Sequence, residues 1–174
     1  MVAHSAGLLL YRRAGDEVEV LLVHPGGPFW AKKDEGAWSI PKGEYEPDED
    51  ALATAYREFA EEVGLPAPDG APHPIGEVRQ PGGKRVRAWA LEGNVDPRGA
   101  TSNTFDLEWP RGSGRIRSFP EVDRVEWMTV ATARAKLLKG QRPFLDTLTE
   151  ALVGGPAPDG TAPGVEGRRA PGTP

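Results

Sequence analysis

Residues 43–65, GEYEPDEDALATAYREFAEEVGL, constrain this chain more tightly than any other stretch. Leu52, Tyr56, Phe59 and Val63 recur at i, i+4, i+7 and i+11, which at about 100° per residue puts them in one narrow apolar stripe of an α-helix. Such a stripe has to pack on a core. The helix is predicted over residues 47–63: Pro47 sits at its entrance, Asp48, Glu49 and Asp50 put negative charge where the first turn's free N–H groups lie, and Gly64 suits a left-handed C-terminal residue. Glu58 and Glu62 are one turn apart and Glu61 lies three residues after Glu58, so three carboxylates crowd one side. Like charges at this spacing cost a helix roughly a few tenths of a kcal/mol per pair. A solvated acidic face would explain them by composition alone. The adjoining apolar stripe, and Gly43 in a loop that can bring backbone carbonyls close, favour a hard divalent cation instead. Magnesium takes oxygen ligands, keeps several waters and commonly bridges carboxylates to phosphates.

Gly43, Glu49, Arg57, Glu58, Glu61, Glu62 and Gly64 stand in the register G-x5-E-x7-R-E-x2-E-E-x-G, which chance fills on the order of once in 10⁸ starting points. This spacing resembles the Nudix box of hydrolases that cleave nucleoside diphosphates linked to another group, and every fixed position is occupied. The resemblance implies an α/β fold, the Nudix α/β/α sandwich with a mixed sheet, and hydrolysis dependent on magnesium, with manganese as the substitute. It also implies roles. Glu58 and Glu62 are metal ligands, Glu61 holds a further metal or its waters, and the carbonyl beside Gly43 completes the shell. Arg57 orients Glu58, and Glu49 supports the loop. The general base is a box glutamate or one from a later loop; Glu121 is the later candidate, with Asp123 and Glu126 as rivals.

Trp38-Ser39-Ile40-Pro41-Lys42-Gly43 is similar to the W-x-[LI]-P-K-G lead-in of the dinucleoside-polyphosphate and diphosphoinositol-polyphosphate branches, where Lys42 would reach a phosphate. Arg85, Arg87 and Trp89 alternate along a predicted strand and share a face that suits phosphate and base contacts. Lys32-Lys33 falls in a loop near a sheet edge, and His4, His24 and His73 show no ligand spacing. The substrate class implied is a nucleoside polyphosphate, either a triphosphate or a dinucleoside polyphosphate. Two departures leave ADP-ribose or another nucleotide sugar as the alternative. The downstream tyrosine of many dinucleoside-polyphosphate hydrolases is absent, the tyrosines being Tyr11, Tyr45 and Tyr56, and Pro81 lies about where ADP-ribose hydrolases carry a proline. A binding protein that kept the fold without turnover has no need of the full acidic set.

The chain's 174 residues suit one domain, expected over 1–153. Residues 154–174 are so poor in large apolar side chains that a disordered Pro/Gly-rich tail is expected. No apolar run approaches a membrane span, the short N-terminal apolar stretch lacks a basic lead, and a cytoplasmic location follows by default. The absence of cysteine excludes disulfides, thiolate metal sites and a cysteine nucleophile. A net charge of −5 argues against general nucleic-acid binding, and the expected partner is a small nucleotide, with a homodimer compatible. Strands are expected at 5–11, 18–24, 37–40, 75–79, 85–91 and 124–130, with turns at 13–16 and 80–83. Residues 94–120 read as irregular, and 131–139 and 143–152 as short helices.

Overall fold

The computed structural model describes residues 2–154, so the expected tail lies outside the described residues but for Gly154. Two strands rich in Leu and Val, β1 (His4–Ala14) and β2 (Glu17–Pro25), form a hairpin through Gly15-Asp16, where Gly15 takes a φ of 63°. The pair is hydrogen-bonded only near this turn, from Tyr11↔Val20 to Ala14↔Glu17. Beyond it the strands part, and residues 39–44 fill the fork. Val23 and Ser39 exchange both backbone hydrogen bonds, and the short β3 (Lys42–Glu44) pairs with β1 as Ser5↔Glu44, Ala6↔Gly43 and Gly7↔Lys42. A side chain at Gly7 would run into the Pro41 carbonyl and Ile40, so this insertion needs glycine there.

The sheet runs β4 (His73–Arg79), β5 (Arg85–Glu92), β1, β2, β8 (Val122–Thr129), with β1 and β5 parallel and the other neighbours antiparallel. Its pleat sends Leu8, Leu10, Leu21, Val23, Trp89 and Leu91 to one face, where α1 (Ala51–Val63) buries Ala55, Phe59 and Val63. Leu9, Val20, Leu22, Val86, Ala88 and Ala90 cover the other face, against Leu137 beyond α2 (Val130–Lys136) and Phe144, Leu145 and Leu148 of α3 (Pro143–Val153). This is the expected α/β/α sandwich with a mixed sheet.

Four local expectations need correction. The helix begins at Ala51, four residues late, because Asp50 caps it by accepting the Ala53 N–H at 2.8 Å and Glu49 folds back onto the Glu46 N–H at 3.1 Å. Residues 37–40 make isolated bridges rather than a strand; Pro41 cannot donate to a ladder, and regular pairing starts only at Lys42. Within 94–120 there is a two-stranded ribbon, β6 (Thr104–Glu108) against β7 (Ile116–Pro120). Its Phe105↔Phe119 and Leu107↔Arg117 pairs have the period of two that the Gly, Pro and Ser around them obscure. α2 stops at Lys136 because Trp38 captures the Lys136 carbonyl and accepts the Leu138 N–H, pulling 137–138 out of the helix. The 80–83 turn is as expected, with Gly82 and Gly83 both at positive φ. No helix among the described residues is long and apolar enough to cross a membrane.

Candidate active site

The fork in the sheet lays Lys42-Gly43 across the helix that carries the acidic cluster. Gly43 shares its face with Ala6, on the α1 side, and a β-carbon there would coincide with the Glu58 carboxylate. The glycine is therefore the space in which Glu58 sits. One turn further, Glu62 accepts the backbone N–H of Lys42 through Oε2 at 3.2 Å. Gly64 ends the helix at a φ of 75°, with no room for a side chain against Thr101.

Arg57 is shared among three carboxylates: Glu49 at 3.4 Å, Glu58 at 3.7 Å and Glu61 at 4.0 Å. Contact with the Glu46 backbone, and then with Arg57, holds Glu49 below the usual glutamate range. Burial pushes Glu58 up, Glu61 and Glu121 add to the effect, and Arg57 opposes it. Burial also pushes Glu62 up to about 7, with Glu58 and Glu121 reinforcing and the charge and N–H of Lys42 opposing. Burial lowers Lys42, as does the nearby Lys84, while Glu62, Glu44 and Glu58 pull the other way.

Glu121 thus acts on both box carboxylates from the junction of β7 and β8. Its N–H donates to Asn103 at 2.8 Å and its carbonyl accepts from Gly26 at 2.9 Å, and Gly26 has no room for a side chain against Pro120. A cavity of about 200 Å³ is lined by Trp30, Ser39, Lys42, Glu62, Glu121 and Leu138. A second, of about 230 Å³, takes in Glu62 together with Asp123 and Glu126. Asp123 is engaged elsewhere, 2.7 Å from Nδ1 of the buried His24, whose Nε2 reaches the Lys33 carbonyl at 2.6 Å.

The pleat turns Lys42 away from Gly43, toward the face shared with Gly7 and Ala88, so it reaches the cavity from behind the helix. Arg87 lies in one row with Ala6 and Gly43, about 10 Å from Gly43 across two strand spacings. Arg85 pairs with Glu77 at 3.2 Å, and Arg87 stacks 5.0 Å from the Trp89 ring. Trp89 itself is 6% exposed and belongs to the core. Lys33 stacks on Trp30 at 5.0 Å.

Two bracing residues carried no sequence signal. The fully buried Gln141 accepts the Ile40 N–H at 3.0 Å and donates to Ser39 Oγ at 3.0 Å, tying the lead-in to the turn before α3. His24 joins the 25–33 loop to β8. The partners of their side chains lie nine or more residues away, beyond the reach of a helical or strand period, so no local pattern marks them.

Among the described residues, no three acidic or histidine groups are arranged as a ready metal-binding set. The donor chemistry nevertheless fits a hard cation: the acidic donors gathered here are all carboxylate oxygens, and burial, with neighbouring carboxylates adding to it and Arg57 and Lys42 opposing it, holds Glu58 and Glu62 above the usual glutamate range.

The NUDIX domain family model matches residues 1–148. The chain belongs to the Nudix family. A curated relative of this Nudix protein, a Caenorhabditis elegans bis(5'-nucleosyl)-tetraphosphatase (asymmetrical), is 35% identical over 65 residues, 37% of this chain and 43% of the relative. The match therefore spans less than half of the relative's length. Among solved structures, a C. elegans Ap4A hydrolase binary complex superposes with a TM-score of 0.60 at 20% identity, covering 86% of this chain and 98% of that one. The NUDIX domain of Shewanella oneidensis NrtR, complexed with ADP ribose, gives 0.58 at 17% identity, covering 87% and 89%. At such identities the two structures speak for the fold.

Proposed function

We propose that this Nudix protein is a pyrophosphohydrolase that cleaves a phosphoanhydride of a nucleoside polyphosphate, with magnesium, or manganese in its place, held by Glu58, Glu61, Glu62 and the carbonyl beside Gly43. The observation that carries the reading is the complete acidic box packed beside a cavity that Lys42, Glu62 and Glu121 share. Bound at these carboxylates, a divalent cation supplies charge neutralisation for the phosphate oxygens. The chain's own residues do the rest. Arg57 restrains Glu49, Glu58 and Glu61 together, so the carboxylates hold one geometry as substrate enters. Glu121, exposed at the cavity and pinned through its backbone, takes the proton of the attacking water. Lys42 meets the phosphate chain from the opposite wall, and Arg87 extends positive charge along the α1 face.

The partial match to a bis(5'-nucleosyl)-tetraphosphatase supports a polyphosphate substrate. The test is phosphate and pyrophosphate release over a nucleotide panel with metal titrated in. A polyphosphate nucleotide is expected to show a higher kcat/KM than ADP-ribose. Lys42→Ala is expected to reduce the former more, by up to about 1.5–3 kcal/mol for one charge-assisted contact. ADP-ribose as the better substrate, with a ratio that Lys42→Ala leaves unmoved, would overturn the polyphosphate reading.

A further inference from the structure

The β6–β7 ribbon sorts its side chains by charge. Alternate residues of a strand face opposite ways and directly paired residues share a face, so Phe105, Phe119, Leu107 and Arg117 lie on one side while Asp106 and Glu108 lie on the other. Trp109 and Arg115 continue the first side, joined by the Trp109 N–H to the Arg115 carbonyl at 2.9 Å. Between Arg111 and Phe119 there are three arginines and no acid, in a chain of net charge −5. Among the described residues no carboxylate lies within ion-pair distance of Arg111, Arg115 or Arg117, a lack they share with Arg79, Arg87, Arg124 and Arg142, whereas Arg12, Arg13, Arg57, Arg85, Arg98 and Arg134 all have one.

This face packs against the 26–30 loop, which reaches the catalytic cavity through Trp30. The ribbon's last strand runs directly into Glu121. On the other side the 26–30 loop bridges the two: Trp30 lines the cavity, while its neighbour Phe29, 61% exposed, meets the Trp109 ring edge-on at 5.4 Å. Phe105 packs where Gly27 lacks a side chain. Arg117 is four residues from Glu121, about 13 Å along the strand, and stacks 5.5 Å from the Phe119 ring. Exposed arginines beside the exposed Phe29 ring and the half-buried Trp109 ring fit a ligand that carries both phosphate and a flat base, because guanidinium forks match phosphate oxygens and every base has a face to stack.

We propose that the Arg115, Arg117, Trp109 and Phe29 surface is a second subsite that holds the far nucleoside end of a dinucleoside polyphosphate whose phosphate chain lies in the catalytic cavity. This rests on the polyphosphate reading above and narrows it to substrates with a nucleoside at both ends. A nucleoside triphosphate fills the cavity but leaves the ribbon empty.

Equilibrium dialysis of the full chain in EDTA, with a dinucleoside tetraphosphate and separately with a nucleoside triphosphate, tests the subsite without turnover. For Arg115→Ala/Arg117→Ala, with an unchanged melting temperature, the Kd for the dinucleoside compound is expected to rise at least tenfold more than that for the triphosphate. Phe29→Ala is expected to shift the same ratio by at least threefold, and in the presence of metal the ratio of kcat/KM values should follow. An unchanged ratio, an equal loss for both ligands, or no measurable dinucleoside binding by wild type would overturn the subsite. Tighter binding of a 5′-triphosphorylated oligoribonucleotide through the same arginines would overturn it in favour of a polymer. Failure of the polyphosphate reading shows separately, as wild type that turns over no nucleoside polyphosphate.

Discussion

Replacing Glu62 by glutamine should stabilise the metal-free protein above neutral pH. Burial pushes this carboxyl from 4.5 to about 7, with Glu58 and Glu121 adding to the effect. A group whose pKa is raised by folding contributes fully to stability below its unfolded value, and loses that contribution as pH climbs through the folded value. The loss therefore runs from about pH 4.5 to about pH 7, and at 1.36 kcal/mol per unit it reaches at most about 3 kcal/mol on the alkaline side. Glutamine abolishes the loss and keeps an oxygen for the Lys42 N–H, but it strips the buried Lys42 of a counter-charge, so the net gain should be about 1–2 kcal/mol. For a domain of this size that corresponds to about 2–8 °C. Scanning calorimetry in EDTA from pH 5 to pH 9 reads it directly. Glu62→Gln should melt above wild type at pH 8 and converge with it near pH 5. A variant that melts lower at pH 8, or a gap independent of pH, would mean that the Glu62 charge is satisfied in the fold and that the burial argument is wrong.

With saturating magnesium, Glu62→Gln and Glu58→Gln should each lose more than tenfold in turnover, over about 1.4 kcal/mol of barrier, and a smaller loss would remove that residue from the metal site. Gly43→Ala should displace Glu58, since the new methyl coincides with its carboxylate; kcat is expected to fall at least tenfold, with a stability loss of about 1–3 kcal/mol read by urea unfolding. Gln141→Leu should cost about 1–3 kcal/mol by stranding the buried Ile40 N–H, and unfolding at wild-type urea concentrations would show that this brace is dispensable.

The helix, its buried face and its glycine stop were legible in the sequence because each depends on residues within one or two turns. Phe59 and Val63 are fully buried where the 3.6-residue period puts them, and Gly64 is left-handed as its position requires. The first-turn acids were misplaced because Glu49 and Asp50 bond their own backbone neighbours, a choice between two local options that composition does not decide. The β6–β7 ribbon stayed hidden because glycine and proline density outweighs a five-residue alternation.

The sequence by itself determined the family register and the acidic cluster, since these follow from spacing along one chain, and the sandwich came with the family resemblance that this register carries. Only the tertiary structure decided what surrounds that cluster. The parting of β1 and β2 admits residues 39–44 and brings Gly43 onto Glu58 and Lys42 onto Glu62, while a backbone pinned by Asn103 and Gly26 delivers Glu121 from far along the chain. Burial then raises Glu58 and Glu62, a property that belongs to their shared environment and to neither residue's own chemistry.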